Sequence, residues 1–203
     1  DWARARGRAF IRFDYRGHGR SSGCFEDLGI SDWADDAAKV LAHLTEGPQI
    51  LVGSSMGGWI SLLLARRCPA RVAGLIGIAA APDFTEDGIW AQMTAEQRAG
   101  VMSSGRLEVP SDYDDGPYVI TRRLIEDGRD NLVLRAPLAV SCHVRLRHRP
   151  ADTDVLRDVA LRLLDHLDGV DESGRLVGQH DCRRCVDDRR VTLGTARAIE
   201  YRA

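Results

Sequence analysis

The sequence predicts an α/β fold: a mostly parallel sheet with helices packed on both faces. Three observations carry that prediction. Across residues 9–82 the chain alternates strand, helix, strand, helix, strand. The strand segments are continuously apolar instead of alternating with polar residues, the pattern of strands covered on both faces. One of them, "QILVG", ends in Gly53-Ser54-Ser55-Met56-Gly57-Gly58, at the carboxyl end of a strand, where parallel sheets carry their sites.

The elements follow in order. "AFIRFDY" (9–15) is apolar and aromatic and runs into the glycine-rich "RGHGRSSG", which predicts a strand and then a loop. "ISDWADDAAKVLAHLTEG" (30–47) opens on Ser31 or Asp32 as N-cap. It repeats Trp33, Ala37, Val40, Leu41 and Leu44 at helical spacing and stops at Gly47-Pro48. "QILVG" (49–53) is a buried strand, and "MGGWISLLLARRC" (56–68) a buried helix with Arg66 and Arg67 near its negative end. "VAGLIGIAAAP" (72–82) is a further strand, so Asp14, Ser55 and Asp83 all fall at strand ends. Residues 83–135 are charged and carry two short helical patterns, "TAEQRAGVM" and "YVITRRLIEDG"; they read as a lid or cap inserted over the sheet. "PLAVSCHVRLRHR" (137–149) contains a strand. "DVLRDVALRLLDHLDG" (154–169) is an amphipathic helix with Leu156, Val159, Leu163 and Leu167 on one face, and "SGRLVGQH" (173–180) is a weak last strand. The whole, 1–203, reads as one partial domain. "DWARARGRAF" has the look of a helix end entering a strand, which predicts a domain entered partway, without its first strands.

Composition narrows the function classes. The 203 residues suffice for one sizeable core. A net charge of −2 supplies no basic field for nucleic acid. No apolar run reaches the roughly 18–20 residues that span a bilayer, and no segment reads as a signal peptide. Five scattered cysteines do not make a disulfide framework, so a reducing, cytoplasmic setting is expected. Cys182 and Cys185 with His180 give half a zinc site and no second pair, so no metal is expected.

Gly53-Ser54-Ser55-Met56-Gly57 fits G-x-S-x-G with a strand before and a helix after it, as the nucleophile-elbow mechanism requires. A sharp turn there lifts the Ser55 hydroxyl above the sheet and aims the Met56 N–H at a developing oxyanion. A serine nucleophile needs a base, and the base an orienting acid, in the chain order Ser, acid, His. His18 and His43 precede Ser55, and His143 and His148 come too early. Of His166 and His180, His166 sits within an amphipathic helix, whereas His180 follows a strand and is favoured as base. "RPADTDV" offers Asp152 and Asp154 as acids; Asp154 also suits the N-cap of the following helix.

"DYRGHGRSSG", "GSSMGGW", "ADTDV" and a later histidine resemble the α/β-hydrolase superfamily. The longer stretches "FDYRGHGRSSG", "ILVGSSMGGWISLLLA" and "GIAAAPDFTE" are similar to the bacterial relatives of the mitochondrial palmitoyl-protein thioesterase and acyl-glucuronide esterase. The resemblance covers about residues 1–140. It implies a serine hydrolase of acyl esters or thioesters, acting on a small-molecule or acyl-protein substrate without metal or cofactor. The family nucleophile falls on Ser55 and its oxyanion donor on Met56. The acid, first Asp of a G-x-x-D-x-x-V-P pattern, falls on Asp152, and the histidine on His180. Arg149 and Leu156 stand where that pattern has Gly and Pro, and "DESGRLVGQ" is less apolar than the family's last strand. A hydrolase-fold chain without activity is therefore the alternative reading.

Overall fold

The computed structural model describes residues 3–110, 117–148 and 157–168. Its centre is a parallel three-stranded sheet in the order β1 (Gln49–Ser54), β2 (Val72–Ile78), β6 (His143–Arg147). The register pairs Leu51 with Leu75 and Leu75 with Val144, and it brings Ser54 opposite Ile78 and Ile78 opposite Arg147. The three carboxyl ends are therefore level with one another.

Helix α1 (Ile30–Leu44) buries Ile30, Trp33, Ala34, Ala37 and Leu41, the face its spacing predicts. It is preceded by Gly29 as N-cap, not Ser31 or Asp32. Asp32 accepts from the Gly29 N–H (3.0 Å), and Asp127 reaches across to accept from the Ser31 N–H (2.8 Å). Two carboxylates thus satisfy two of the orphan donors of the first turn and oppose its positive end. At the other end, Arg71 donates to the Leu41 and Thr45 carbonyls (2.7 and 2.9 Å) and to Gly47 O (3.0 Å). Helix α2 (Met56–Arg67) is buried along Gly58–Ala65 and packs across β1 and β2. Its Trp59 is fully buried, donates to the Asn131 carbonyl (3.0 Å) and meets the Phe84 ring edge-on at 5.6 Å.

Leu75, Val144 and Leu146 are buried in this core and Leu51 packs against it. On the opposite face of the same strands, Ile50, Val52 and Ile78 are exposed. The segment 9–15 differs from its prediction: residues 8–15 form no strand, and Phe10 and Phe13 are exposed. A strand exists only by hydrogen bonding to a neighbour, and among the described residues none pairs with this segment. The loop after it is held locally: Asp14 accepts from the Arg20 N–H (3.1 Å), Arg16 pairs with Asp36 (2.8 Å), and the His18 ring packs on Phe25 and Trp33.

Beyond β2 the chain forms a short wide helix of the π type (Phe84–Trp90), helix α3 (Ala95–Ser104), an antiparallel pair β3 (Arg106–Val109) and β4 (Tyr118–Thr121), and helix α4 (Arg122–Asp130). The helical pattern predicted for "YVITRRLIEDG" is thus half right. Tyr-Val-Ile-Thr is aromatic and β-branched and pairs as a strand, and Thr121 then caps α4 by accepting from the Leu124 N–H (3.0 Å). Met93, Val101, Ile120 and Ile125 make a small core of their own. Short β5 (Leu138–Ala139) pairs with β7 (Leu167–Asp168), and α5 (Arg157–His166) leads into β7. The predicted strand 173–180 lies outside the described residues.

Candidate active site

The turn from β1 into α2 is built by close backbone approach. A Cβ on Gly53 would collide with the Gly57 carbonyl and come within 2.6 Å of the Gly58 nitrogen, so only glycine fits there. Ser55 between them has φ 49° and ψ −120°, a left-handed conformation that costs a non-glycine residue on the order of 1–3 kcal/mol. Three backbone hydrogen bonds hold it: its N–H donates to Ile78 O (3.0 Å), and its carbonyl accepts from Gly58 N–H (2.9 Å) and Ala81 N–H (3.1 Å). The residue is exposed. Met56 is the first residue of α2, so its N–H has no carbonyl four residues back within the helix and lies at the positive end of the helix dipole.

The next strand end mirrors this strain. Ala79 and Asp83 also have positive φ, 44° and 59°. Ala79 N–H donates to Arg147 O (2.7 Å), continuing the sheet's bonding one residue past β2. Asp83 is fully buried, and its two carboxylate oxygens accept from the Val133 and Leu134 N–H groups (2.8 and 2.9 Å). Burial pushes its carboxyl above the usual range, against the pull of those two N–H groups and of Arg135 at 3.2 Å. Asp87 sits one turn on. Burial would raise it too, but hydrogen bonds from Arg135 and Arg162 outweigh that and hold it below the ordinary carboxylate range.

Of the residues predicted from sequence, Ser55 and Met56 stand together at the elbow; Asp152 and His180 lie outside the described residues. His166 is described, and its Nδ1 pairs with the Arg162 carbonyl of its own helix at 2.8 Å. Sequence reasoning missed the backbone clamp from the segment after β2. The small run Ala79-Ala80-Ala81 was the available signal, because a Cβ on Gly58 would collide with that of Ala80.

A parallel sheet carrying a strained serine on a strand–turn–helix elbow defines a class, and the sequence agrees. The family described as "Serine aminopeptidase, S33" matches residues 1–123, and the chain belongs to this family of α/β-hydrolases. Among named relatives, it is 36% identical over 171 residues to the palmitoyl-protein thioesterase ABHD10, mitochondrial, of Rattus norvegicus, covering 82% of this chain and 56% of that protein. The solved structure of the mouse α/β-hydrolase domain-containing protein 10 superposes with a TM-score of 0.74 at 35% identity, covering 82% of this chain and 66% of that one. An Agrobacterium vitis S4 protein described as a hydrolase superposes equally well (TM-score 0.74) at 43% identity, covering 78% and 63%. The chain thus spans a little over half the length of the rat relative. No helix among the described residues is long and apolar enough to cross a membrane.

Proposed function

We propose that this chain is a serine hydrolase that cleaves acyl esters or thioesters through Ser55, His180 and Asp152. The observation that carries the reading is the elbow: an exposed serine at positive φ, followed at once by the first N–H of a twelve-residue helix. In this reading His180 removes the Ser55 proton as Oγ attacks the acyl carbonyl, and Asp152 orients the imidazole and stabilises its charged form. The Met56 N–H receives the oxyanion; a single such donor contributes about 10²–10³ in rate. The protonated His180 then donates to the departing alcohol or thiol, leaving an acyl-Ser55 that water hydrolyses by the same route in reverse.

The names of the relatives favour acyl-protein thioesters as the first substrates to try, with small-molecule esters beside them. Residues 83–135, with a small core separate from the main one, are proposed as the cap that shapes the acyl site. The cysteine pattern points to a reducing compartment, and the cytoplasm is proposed.

The test is covalent labelling with a fluorophosphonate probe, read by intact mass. The unmutated chain is expected to take up one probe and Ser55→Ala none. Equal labelling of both would remove Ser55 as nucleophile, and no labelling of a folded sample would favour the inactive alternative.

A further inference from the structure

We infer that Asp83 is a positioning residue for the Ser55 elbow, an inference that rests on Ser55 being the nucleophile. The strained Ser55 peptide is held on both sides by one short segment: Ile78 O takes its N–H at 3.0 Å, and Ala81 N–H bonds its carbonyl at 3.1 Å. That segment, 78–83, is not regular structure. It turns twice through positive φ, at Ala79 and at Asp83, a region that alanine rarely holds and aspartate visits more often. Ala79 is fixed by donating to Arg147 O at 2.7 Å.

Asp83 fixes the other end. Its carboxylate is wholly buried and takes two backbone N–H groups from residues fifty positions away, Val133 and Leu134. Those residues lie where the chain returns from the inserted region, and Arg135 closes the same carboxylate at 3.2 Å. A continuous set of bonds therefore runs from Val133 and Leu134 through Asp83 and the 79–81 backbone to the Ser55 carbonyl. Removing the Asp83 carboxylate leaves two buried N–H groups without acceptors and frees the left-handed turn. Ala81 then no longer presents its N–H to Ser55. Asp87, four residues on, pairs with Arg135 and Arg162 through exposed guanidinium groups; it meets this set at Arg135 and at the Asp83 carbonyl but supplies no acceptor to Val133, Leu134 or Ala81.

The experiment compares Asp83→Ala, Asp83→Asn and the control Asp87→Asn by fluorophosphonate labelling, separating the maximal rate, the probe affinity and the fraction of molecules labelled. Loss of positioning lowers the maximal rate at full labelled fraction; loss of folded protein lowers the fraction at an unchanged rate. Asp83→Ala is expected to slow the maximal rate at least tenfold, Asp83→Asn to recover part of it by keeping one acceptor, and Asp87→Asn to match the parent. A parent-like maximal rate in Asp83→Ala overturns the inference. Amide hydrogen exchange on the same proteins supplies a readout independent of Ser55 reactivity. In both Asp83 variants the Ser55 and Ala81 amides should exchange at least tenfold faster, with Leu62–Leu64 unchanged. If even the parent resists the probe, the nucleophile reading fails by itself. Exchange then decides the clamp: unchanged Ser55 and Ala81 protection overturns it, and selective loss upholds it.

Discussion

Trp59 ties helix α2, which begins at the Ser55 turn, to the chain after α4, and replacing it by Phe isolates that tie. The side chain is fully buried, its Nε1–H donates to Asn131 O at 3.0 Å, and its ring packs edge-on against Phe84. Trp59→Phe keeps an aromatic ring in the site but removes the donor and roughly 40 Å³ of volume. At about 24 cal/mol per Å³ the void costs about 1 kcal/mol. Leaving the buried Asn131 carbonyl unpaired adds about 1–3 kcal/mol. The expected loss is therefore about 2–4 kcal/mol. Urea unfolding followed by circular dichroism reads it directly: with a slope of about 2 kcal/mol per M the midpoint should fall by roughly 1–2 M. Trp90→Phe is the control. Trp90 is only partly buried, and the guanidinium groups of Arg98 and Arg129 lie over its ring 5.4 and 4.5 Å from the centroid, a contact that contributes about 1 kcal/mol. A Trp59→Phe midpoint no lower than that of the Trp90→Phe control would refute the reasoning, because it would mean the buried carbonyl finds another donor and the void closes.

Other outcomes follow from the same contacts. Arg71→Lys should lose about 1–2 kcal/mol in the same urea assay, since one ammonium cannot reproduce the guanidinium's bonds to Leu41, Thr45 and Gly47; an unchanged midpoint would count against the cap. The lowered Asp87 carboxyl contributes stability that is complete above the ordinary value of 3.8 and is lost as pH falls through its folded value. Thermal melts taken across that acid range should fall less steeply in Asp87→Asn than in the parent, and parallel curves would contradict the pairing. Burial and then the nearby Asp36 push the Tyr15 phenol from 10.0 up to about 12. Spectrophotometric titration should show a late-ionising tyrosine that Tyr15→Phe removes, and stability should decline as pH rises through that interval.

The elements that the sequence made legible are those whose signal is local. "QILVG", "MGGWISLLLARRC" and "VAGLIGIAAAP" are apolar runs; the first two appear within a residue of their predicted spans, and the third stops at Ile78, four residues short. The elbow was legible for the same reason, because G-x-S-x-G is contained in one turn. Residues 9–15 carry an equally apolar signal, yet a strand is a relation between two segments and this one finds no partner among the described residues. Tyr118–Thr121 was misread because its apolar spacing also fits a helix; pairing with Arg106–Val109 decided the matter. The role inferred for Asp83 depends on two backbone groups fifty residues away, which no local pattern could supply.

The level strand ends turn the sheet into a ruler. Ser55 bonds to Ile78, and Ala79 bonds to Arg147, so two backbone links step sideways from the elbow to the end of β6. Adjacent strands lie about 4.7–4.9 Å apart, which sets those two chain positions roughly 9–10 Å from each other. An imidazole bonded at both nitrogens, with about 2.8–3 Å on either side of its ring, bridges a gap of roughly 8 Å. Ordinary strand pairing thus holds the elbow and the end of β6 at a separation a little wider than one doubly hydrogen-bonded imidazole.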